Sequence, residues 1–148
     1  MPNFSEIPWI AQHIELYRTD PEKARLWDST LVGGPGLLPT LLLTTTGRKT
    51  GRPRALPLIY GEAGKSYVVI ASKGGMPTHP VWFDNLEADP RCELMVGAKK
   101  LTARARVAEG EERVRLWKQM VAIYPPYAEY QTRATTRVIP VVVLDPIG

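Results

Sequence analysis

The chain has 148 residues, 44% of them hydrophobic and 23% charged, and carries a formal net charge of +4 at pH 7. This length is that of one domain and the composition argues against a disordered chain, so we expect a single domain over residues 1–148, with 1–36 as a helical N-terminal segment. The single cysteine, Cys92, excludes an internal disulfide and a multi-cysteine metal site, while the positive charge suits an anionic ligand.

The first forty residues contain two helical candidates, at 7–17 and 21–28. Before the second helix, Asp20 followed by Pro21 is the pattern of an N-cap with proline at the first helical position. The glycines and prolines from Gly33 to Pro39 then predict a flexible hinge.

An antiparallel meander is predicted after the hinge. The apolar, threonine-rich run 40–46 has the β-branched content of a strand. A basic connection at 47–54 leads to a second strand at 55–60, and a turn at 61–65 leads to a third strand at 66–72.

The second half of the chain begins with a loop at 73–77 and a short helix at 80–88, which ends before a proline. Two further strands are expected at 92–96 and 101–107, joined by a turn over the residues between them.

The strongest helical pattern is at 109–123, and it stops at Pro125 and Pro126. A last apolar run, 138–144, predicts a sixth strand. Because strands and helices do not alternate as in βαβ units, the order predicts an α+β, mainly β fold: a small, mostly antiparallel barrel of about six strands with flanking helices.

The basic connection contains four cationic side chains, Arg48, Lys49, Arg52 and Arg54, between two strands and beside glycines. Guanidinium and ammonium groups together with free backbone N–H groups form an anion site, so phosphate or carboxylate is the expected partner. A solvated hairpin tip is the alternative.

The loop after the third strand contains Gly74 and Gly75, followed by Trp82 on the next helix. Glycines allow the backbone to approach a flat ligand, and an indole ring can pack beside it. The alternative is a plain connection with Trp82 as a core residue.

Three tyrosines, Tyr124, Tyr127 and Tyr130, are spaced by three and share one face if the segment is helical. They can line an amphipathic pocket, or they can simply pack together. The two histidines, His13 and His79, lie in unrelated contexts, so neither a metal site nor a nucleophilic triad is expected. An anion-binding turn, a glycine loop and aromatic residues, without an acid-base constellation, together favour a protein that positions a cofactor, and the cofactor performs the chemistry.

Taken together, several motifs resemble those of the deazaflavin (coenzyme F420)-dependent nitroreductases, in order and spacing, from about residue 41 to 146. The motifs are Thr44 to Arg54, Pro57-Leu58, Ala71 to Gly75, His79 to Trp82, Asn85-Leu86, Tyr127 to Gln131, and Arg137 to Val141. The resemblance implies the split β-barrel fold that this family shares with flavin-binding oxidases.

The resemblance also implies roles for individual residues. Lys49 and Arg54, helped by Arg48, would hold the phosphate and polyglutamate tail of coenzyme F420. Five residues would surround the deazaflavin ring: Pro57, Ser72, Lys73, Trp82 and Asn85.

The acceptor site implied by the resemblance, which we take as the catalytic set, is formed by Tyr124, Tyr127, Tyr130 and the Ser72 hydroxyl. Nitroimidazole-activating members can have a tyrosine where this chain has Ile59, so nitroimidazole reduction is not implied.

The implied activity is hydride transfer from the reduced deazaflavin to a quinone-like, enone or nitroaromatic acceptor, a small hydrophobic molecule. Two alternatives stay open: FMN bound by the same barrel, and a non-enzymatic module that binds a cofactor or an anion, such as nucleic acid or an acidic membrane surface. Nucleic acid is not an expected partner, because no aromatic residues interleave with the basic cluster.

The expected location is the cytoplasm, since no apolar run approaches the length of a membrane span and the first residues do not resemble a signal peptide. Peripheral association with the inner face of the membrane and the oligomeric state are left open.

Overall fold

The computed structural model describes residues 8–28 and 36–147. Three residues of the predicted hinge, Gly33, Gly34 and Pro35, lie outside these ranges, as does the first residue of the predicted helix 7–17. No helix in the described ranges is long and apolar enough to cross a membrane.

The N-terminal part begins with two helices, α1 (Pro8–Thr19) and α2 (Pro21–Ala24). The Asp20 carboxylate accepts a hydrogen bond from the Lys23 backbone N–H at 3.3 Å, so the N-cap is confirmed. The predicted extension of this helix to residue 28 is wrong. Residues Leu26–Asp28 form strand β1 instead, because pairing with β2 satisfies their backbone groups.

The described chain forms eight strands, all paired antiparallel. They are β1, β2 (Leu37–Thr46), β3 (Pro53–Ile59), β4 (Gly61–Ala63), β5 (Ser66–Ile70), β6 (Arg91–Val96), β7 (Lys99–Val107) and β8 (Val141–Pro146). The order across the sheet is β1-β2-β6-β7-β8-β5-β4, with β3 also paired to β2.

All six predicted strands are present, with ends that differ from the prediction by up to three residues. Gly61 to Ala63, predicted as a turn, pair with β5 as β4. Pro39, predicted in the hinge, lies within β2. The last strand begins at Val141 and not at residue 138, because the Ile139 N–H is bonded to the Gln131 side chain instead of to a strand.

Strand β3 pairs with β2 over its whole length, from Thr40↔Ile59 to Thr46↔Pro53. Among the described strands it has no second partner, and β5 pairs with β4 and β8. The sheet curls without closing between β3 and β5, so the predicted split β-barrel is confirmed.

The remaining helices flank this barrel: α3 (Val81–Ala88), α4 (Gly110–Ile123) and α5 (Pro126–Arg133). Strand β8 explains the placement of α4. Val142 and Leu144 point into the barrel, while Val141 and Val143 point outwards and are covered by Leu116 of α4, among other side chains. The strand is buried on both faces, which accounts for its continuous apolar run.

One charge cluster joins β7, α4 and β8. The Arg106 guanidinium donates to both carboxylate oxygens of Glu112, at 2.6 and 3.0 Å, and to Asp145 at 2.8 Å. Partial burial by itself raises the pKa of Asp145, but hydrogen bonds from Ser66 and Arg106 outweigh it and leave this pKa below its usual value. The hydrogen bond from Arg106 lowers the pKa of Glu112 as well.

We expect the free energy of unfolding to fall as the pH drops below about 5. Both carboxyl groups have lowered pKa values in the folded state, so their stabilisation is present above the ordinary values and is lost as they protonate. Asp145→Asn should therefore lower stability at pH 7 by about 1 kcal/mol and make the acid dependence shallower. Urea unfolding between pH 3 and 7 measures both effects.

The matched control is Glu15→Gln, which removes an exposed pair with Arg18. Exposed pairs contribute about 0 to 1 kcal/mol, so this variant should change stability less than Asp145→Asn. Equal stability and equal acid slope in Asp145→Asn and the native protein would contradict the assignment of this cluster.

Candidate active site

A cavity of about 310 Å³ lies at the open side of the barrel, between β3 and the end of β5. Pockets that bind small molecules usually have volumes of about 300 Å³ or more, so this cavity is large enough for a flat ring system. Seven of the predicted site residues line it together: Pro57, Ser72, Lys73, Trp82, Tyr124, Tyr127 and Tyr130. The other four predicted residues, Arg48, Lys49, Arg54 and Asn85, lie outside its lining.

Strand β3 forms one wall of the cavity with four consecutive residues, 56 to 59. Since its only described partner is β2, its other edge presents backbone groups towards this space. Pro57 carries no N–H and leaves an apolar spot on that edge. Ile59 also lines the cavity, at the position where nitroimidazole-activating proteins can have a tyrosine.

The three tyrosines form one cluster, with Tyr124 at the end of α4 and the other two on α5. Their ring centroids lie 4.9 to 6.3 Å apart, in tilted and edge-to-face arrangements. Tyr127 and Tyr130 thus share a helix, whereas Tyr124 lies at the non-helical end of α4, so the three rings meet across two helices and not on one helical face. The Tyr124 and Tyr130 hydroxyls are hydrogen-bonded to each other at 3.0 Å, whereas no partner for the Tyr127 hydroxyl lies within the described part of the chain.

Burial raises the pKa values of both Tyr124 and Tyr127 well above the usual 10. For Tyr124, the hydrogen bond with Tyr130 acts in the same direction. Both phenols therefore keep their protons at neutral pH. They can donate hydrogen bonds to a ligand oxygen, but they are weak acids.

The loop after β5 has a left-handed backbone. Lys73, Gly74 and Gly75 have φ values of 47°, 63° and 80°. This conformation costs a residue with a side chain about 1 to 2 kcal/mol, so Lys73 must be held by its surroundings. The Lys73 ammonium group donates to the Thr78 hydroxyl at 2.9 Å.

The two glycines of this loop serve different contacts. A Cβ on Gly74 would meet nothing within 4 Å, and Gly74 lines the cavity, which fits the predicted approach of a flat ligand. A Cβ on Gly75 would lie 2.5 Å from the Tyr130 carbonyl oxygen. Gly75 is needed for the approach of α5, and thus for the placement of the tyrosines.

The basic turn connects β2 to β3 and is held in place by hydrogen bonds to Asn85 of α3. The buried Asn85 amide donates to the Thr45 hydroxyl at 3.1 Å and accepts from the Arg48 backbone N–H at 3.1 Å. These contacts support a role for Asn85 in holding the turn. Lys49 and Arg54 are exposed.

The turn is joined to the cavity by β3. Arg54 and Pro57 are three residues apart on this strand, which is about 10 Å at the usual rise per residue. Cationic side chains therefore lie within reach of a ligand whose flat part occupies the cavity and whose anionic part extends along the strand.

A further wall comes from the N-terminal segment, through Ile10, His13 and Trp27. The His13 ring is hydrogen-bonded through Nε2 to the Ala24 carbonyl oxygen at 2.7 Å. Burial lowers the pKa of His13, against the opposing effect of this hydrogen bond, so the ring is neutral at pH 7. Sequence reasoning missed these residues, because only the fold brings positions 10, 13 and 27 to β3.

Among the described residues, no group of three or more histidine, cysteine, aspartate or glutamate side chains could hold a metal ion. The polar side chains at the cavity are three phenols, the hydroxyls of a serine and a threonine, a lysine, one neutral histidine and two indoles. Such a lining can bind and orient an organic molecule.

Comparison with known proteins shows which proteins the chain resembles. The family model described as F420H(2)-dependent quinone reductase matches residues 16–146. An F420H(2)-dependent quinone reductase of Mycobacterium tuberculosis (strain H37Rv) is 44% identical over an alignment of 148 residues, which covers 92% of this chain and 95% of that protein.

Two solved structures resemble the chain at similar identity. The structure of an F420-H2-dependent reductase is 48% identical with a TM-score of 0.66, and the match covers 72% of this chain and 93% of the other. A structure described as a domain-swapped dimer is 47% identical with a TM-score of 0.67, and covers 72% and 79% of the two chains.

The two loop glycines differ in their surroundings, so comparing substitutions at them tests whether α5 depends on its contact with Gly75. We expect Gly75→Ala to be less stable than Gly74→Ala, because both residues have a positive φ but only Gly75 faces backbone atoms of α5. The strain shared by both should cost about 1 kcal/mol, and the clash at Gly75 should add about 1 to 3 kcal/mol. Urea unfolding at neutral pH compares the two variants, and equal losses would show that α5 does not depend on this contact.

Proposed function

The chain belongs to the F420H(2)-dependent quinone reductase family, and we propose that it is an enzyme that uses reduced coenzyme F420 to reduce a quinone-like acceptor. The observation that carries this proposal is the single cavity that unites seven predicted ring and acceptor residues, with the basic turn about 10 Å along β3.

The residues at the cavity fit a flat deazaflavin with an anionic tail. Pro57 and Trp82 offer apolar faces for a planar ring, and Gly74 leaves open space beside it. Lys49 and Arg54 lie exposed on or next to the turn and can pair with phosphate or carboxylate groups. The names of the two relatives compared above specify F420 and do not support the FMN alternative.

When bound, the reduced coenzyme supplies the hydride. The residues that line the cavity would hold the coenzyme and the acceptor in contact, which removes the need for an encounter in solution. The apolar side chains from Leu56 to Ile59 would limit the access of water to that contact.

The Tyr127 hydroxyl would donate a hydrogen bond to the oxygen of the quinone-like molecule that is reduced. Negative charge develops on that oxygen as hydride arrives, and a fixed donor in an apolar cavity stabilises it. Tyr124 and Tyr130 already bond to each other and support the arrangement. Because burial raises the pKa of Tyr127, the phenol keeps its proton and the proton of the product comes from water.

Quinones are proposed as the preferred acceptors, with enones and nitroaromatics as further ones, since all are flat electrophiles with oxygen at the edge. Ile59 lines the cavity and offers no hydroxyl, so we do not expect efficient nitroimidazole reduction.

Titration of the purified protein with oxidised and reduced coenzyme F420, followed by the coenzyme's own absorbance and fluorescence, tests the function. Adding a soluble naphthoquinone to the reduced complex should reoxidise it in repeated turnovers. Coenzyme binding without turnover of any quinone would show a coenzyme-binding protein that is not a quinone reductase. Absence of coenzyme binding would reject the proposed function.

Lys49→Ala and Arg54→Ala should each weaken coenzyme binding without unfolding the protein, because both side chains are exposed. A charge-assisted hydrogen bond contributes about 1.5 to 3 kcal/mol, so each change should raise the Kd by about ten to a hundredfold. Lys65→Ala, on the exposed turn between β4 and β5, is the control. Unchanged affinity in both test variants would show that the tail does not bind the basic turn.

Tyr127→Phe should lower kcat by about a hundredfold while leaving the Kd of the coenzyme unchanged, because the ring contacts with Tyr124 and Tyr130 remain and only the donor is lost. Tyr127→Ala removes the buried ring too and should also lower stability, by about 3 to 5 kcal/mol. Steady-state kinetics with a naphthoquinone, alongside thermal unfolding, separate the two effects. Native turnover in Tyr127→Phe would remove this hydroxyl from the reaction.

A further inference from the structure

The Arg137 side chain binds four acceptors around the loop that follows β5. Its Nη1 donates to the Ala71 carbonyl oxygen at 3.1 Å and to His79 Nδ1 at 3.0 Å. Its Nη2 and Nε donate to the carbonyl oxygens of Ser72, at 2.8 Å, and Met76, at 3.0 Å. No carboxylate lies within salt-bridge distance of it in the described ranges.

These four hydrogen bonds hold both ends of the loop to the same guanidinium group. Ala71 and Ser72 are at its beginning, and Met76 and His79 are at its end. The left-handed residues Lys73 and Gly74, which line the cavity, lie between the two anchored ends. A planar group with five donors in a fixed fork can bridge such separated acceptors, whereas a single ammonium group reaches fewer of them.

Arg137 is itself tied to the helix of the tyrosines. The Gln131 side chain of α5 donates to the Arg137 carbonyl oxygen at 3.0 Å and accepts from the Ile139 N–H at 2.8 Å. The same helix meets the loop at Gly75, where the Tyr130 backbone lies close. Arg137 therefore connects the loop wall of the cavity to the wall that carries Tyr127 and Tyr130.

We propose that Arg137 is a positioning residue: its guanidinium holds residues 72–76 in the conformation that forms one wall of the coenzyme site and keeps that wall in register with the tyrosine helix. The proposal rests on the proposed function. Without these donors the strained backbone at Lys73 relaxes, and the wall beside the ring loses its shape.

The test compares Arg137→Met and Arg137→Lys with the control Arg113→Met. Arg113 is a similarly half-buried arginine that donates to one carbonyl oxygen, that of Ile139, at 2.7 Å, and stacks over Trp117, without contacting the loop. Three quantities are measured in each protein: amide hydrogen exchange at 72–79 without coenzyme, the Kd of oxidised coenzyme F420, and the thermal midpoint.

In Arg137→Met we expect exchange in residues 72–76 to rise at least tenfold and the Kd to rise by about tenfold. Arg137→Lys should resemble Arg137→Met, because one ammonium cannot replace the fork. Guanidinium added at low millimolar concentration should partly restore the affinity of Arg137→Met. Arg113→Met should lower the thermal midpoint by a similar amount while loop exchange and Kd stay native.

Native loop exchange and native Kd in Arg137→Met would overturn the proposal. Equal effects in Arg113→Met would also overturn it, because they would show a general loss of stability. Should Arg137→Met fail to fold, Arg137→Lys decides by the same criteria. If the native protein does not bind the coenzyme, the proposed function is rejected. If the native protein binds the coenzyme and Arg137→Met behaves in the same way, only the positioning role is rejected.

Discussion

The pairing of β2 is the constraint on which the rest of the molecule depends. This ten-residue strand pairs with β1 at its beginning, with β3 from Thr40 onwards, and with β6 at Leu42–Thr44. At those three residues both of its edges are occupied. Strand β3 is thereby fixed against β2, and the chain continues through β4 and β5 on the other side of the opening. A space remains between β3 and β5, and this space is the cavity.

Each wall of the cavity is placed by a different long-range contact. Arg137 holds the loop after β5, and the approach of Gly75 to α5 sets the tyrosines beside it. Asn85 holds the basic turn at the far end of β3. Thr40 links the N-terminal helices to the sheet by donating to the Ala24 carbonyl oxygen at 2.9 Å. Arg137 and Asn85 thus act from outside the cavity lining, whereas Thr40 is part of it, and the walls remain mostly apolar.

Sequence patterns predicted the six longer strands and the helices α3 and α4, because their apolar periodicity reflects burial of whole faces. They missed β1 and β4, which are only three residues long and exist through pairing with β2 and β5. Among the site residues, spacing and resemblance identified the seven that line the cavity. The roles of Arg137, Gly75 and Asn85 were not predicted, since each acts on partners distant in the chain and no local pattern marks such contacts.

The hydrogen-bonding state of the tyrosines bears on the choice of acceptor. The Tyr124 and Tyr130 hydroxyls share one hydrogen bond, in which one phenol donates and the other accepts, so only one of their two O–H donors is used. Tyr127 is buried, keeps its proton because its pKa is raised, and has no partner in the described chain. In the proposed function, a mostly apolar cavity with a buried phenol donor would favour a flat molecule with a carbonyl oxygen at its edge, and it would stabilise that oxygen more as its negative charge grows. A quinone has this shape and gains this charge on reduction, so the same hydroxyl can contribute to both selection and rate.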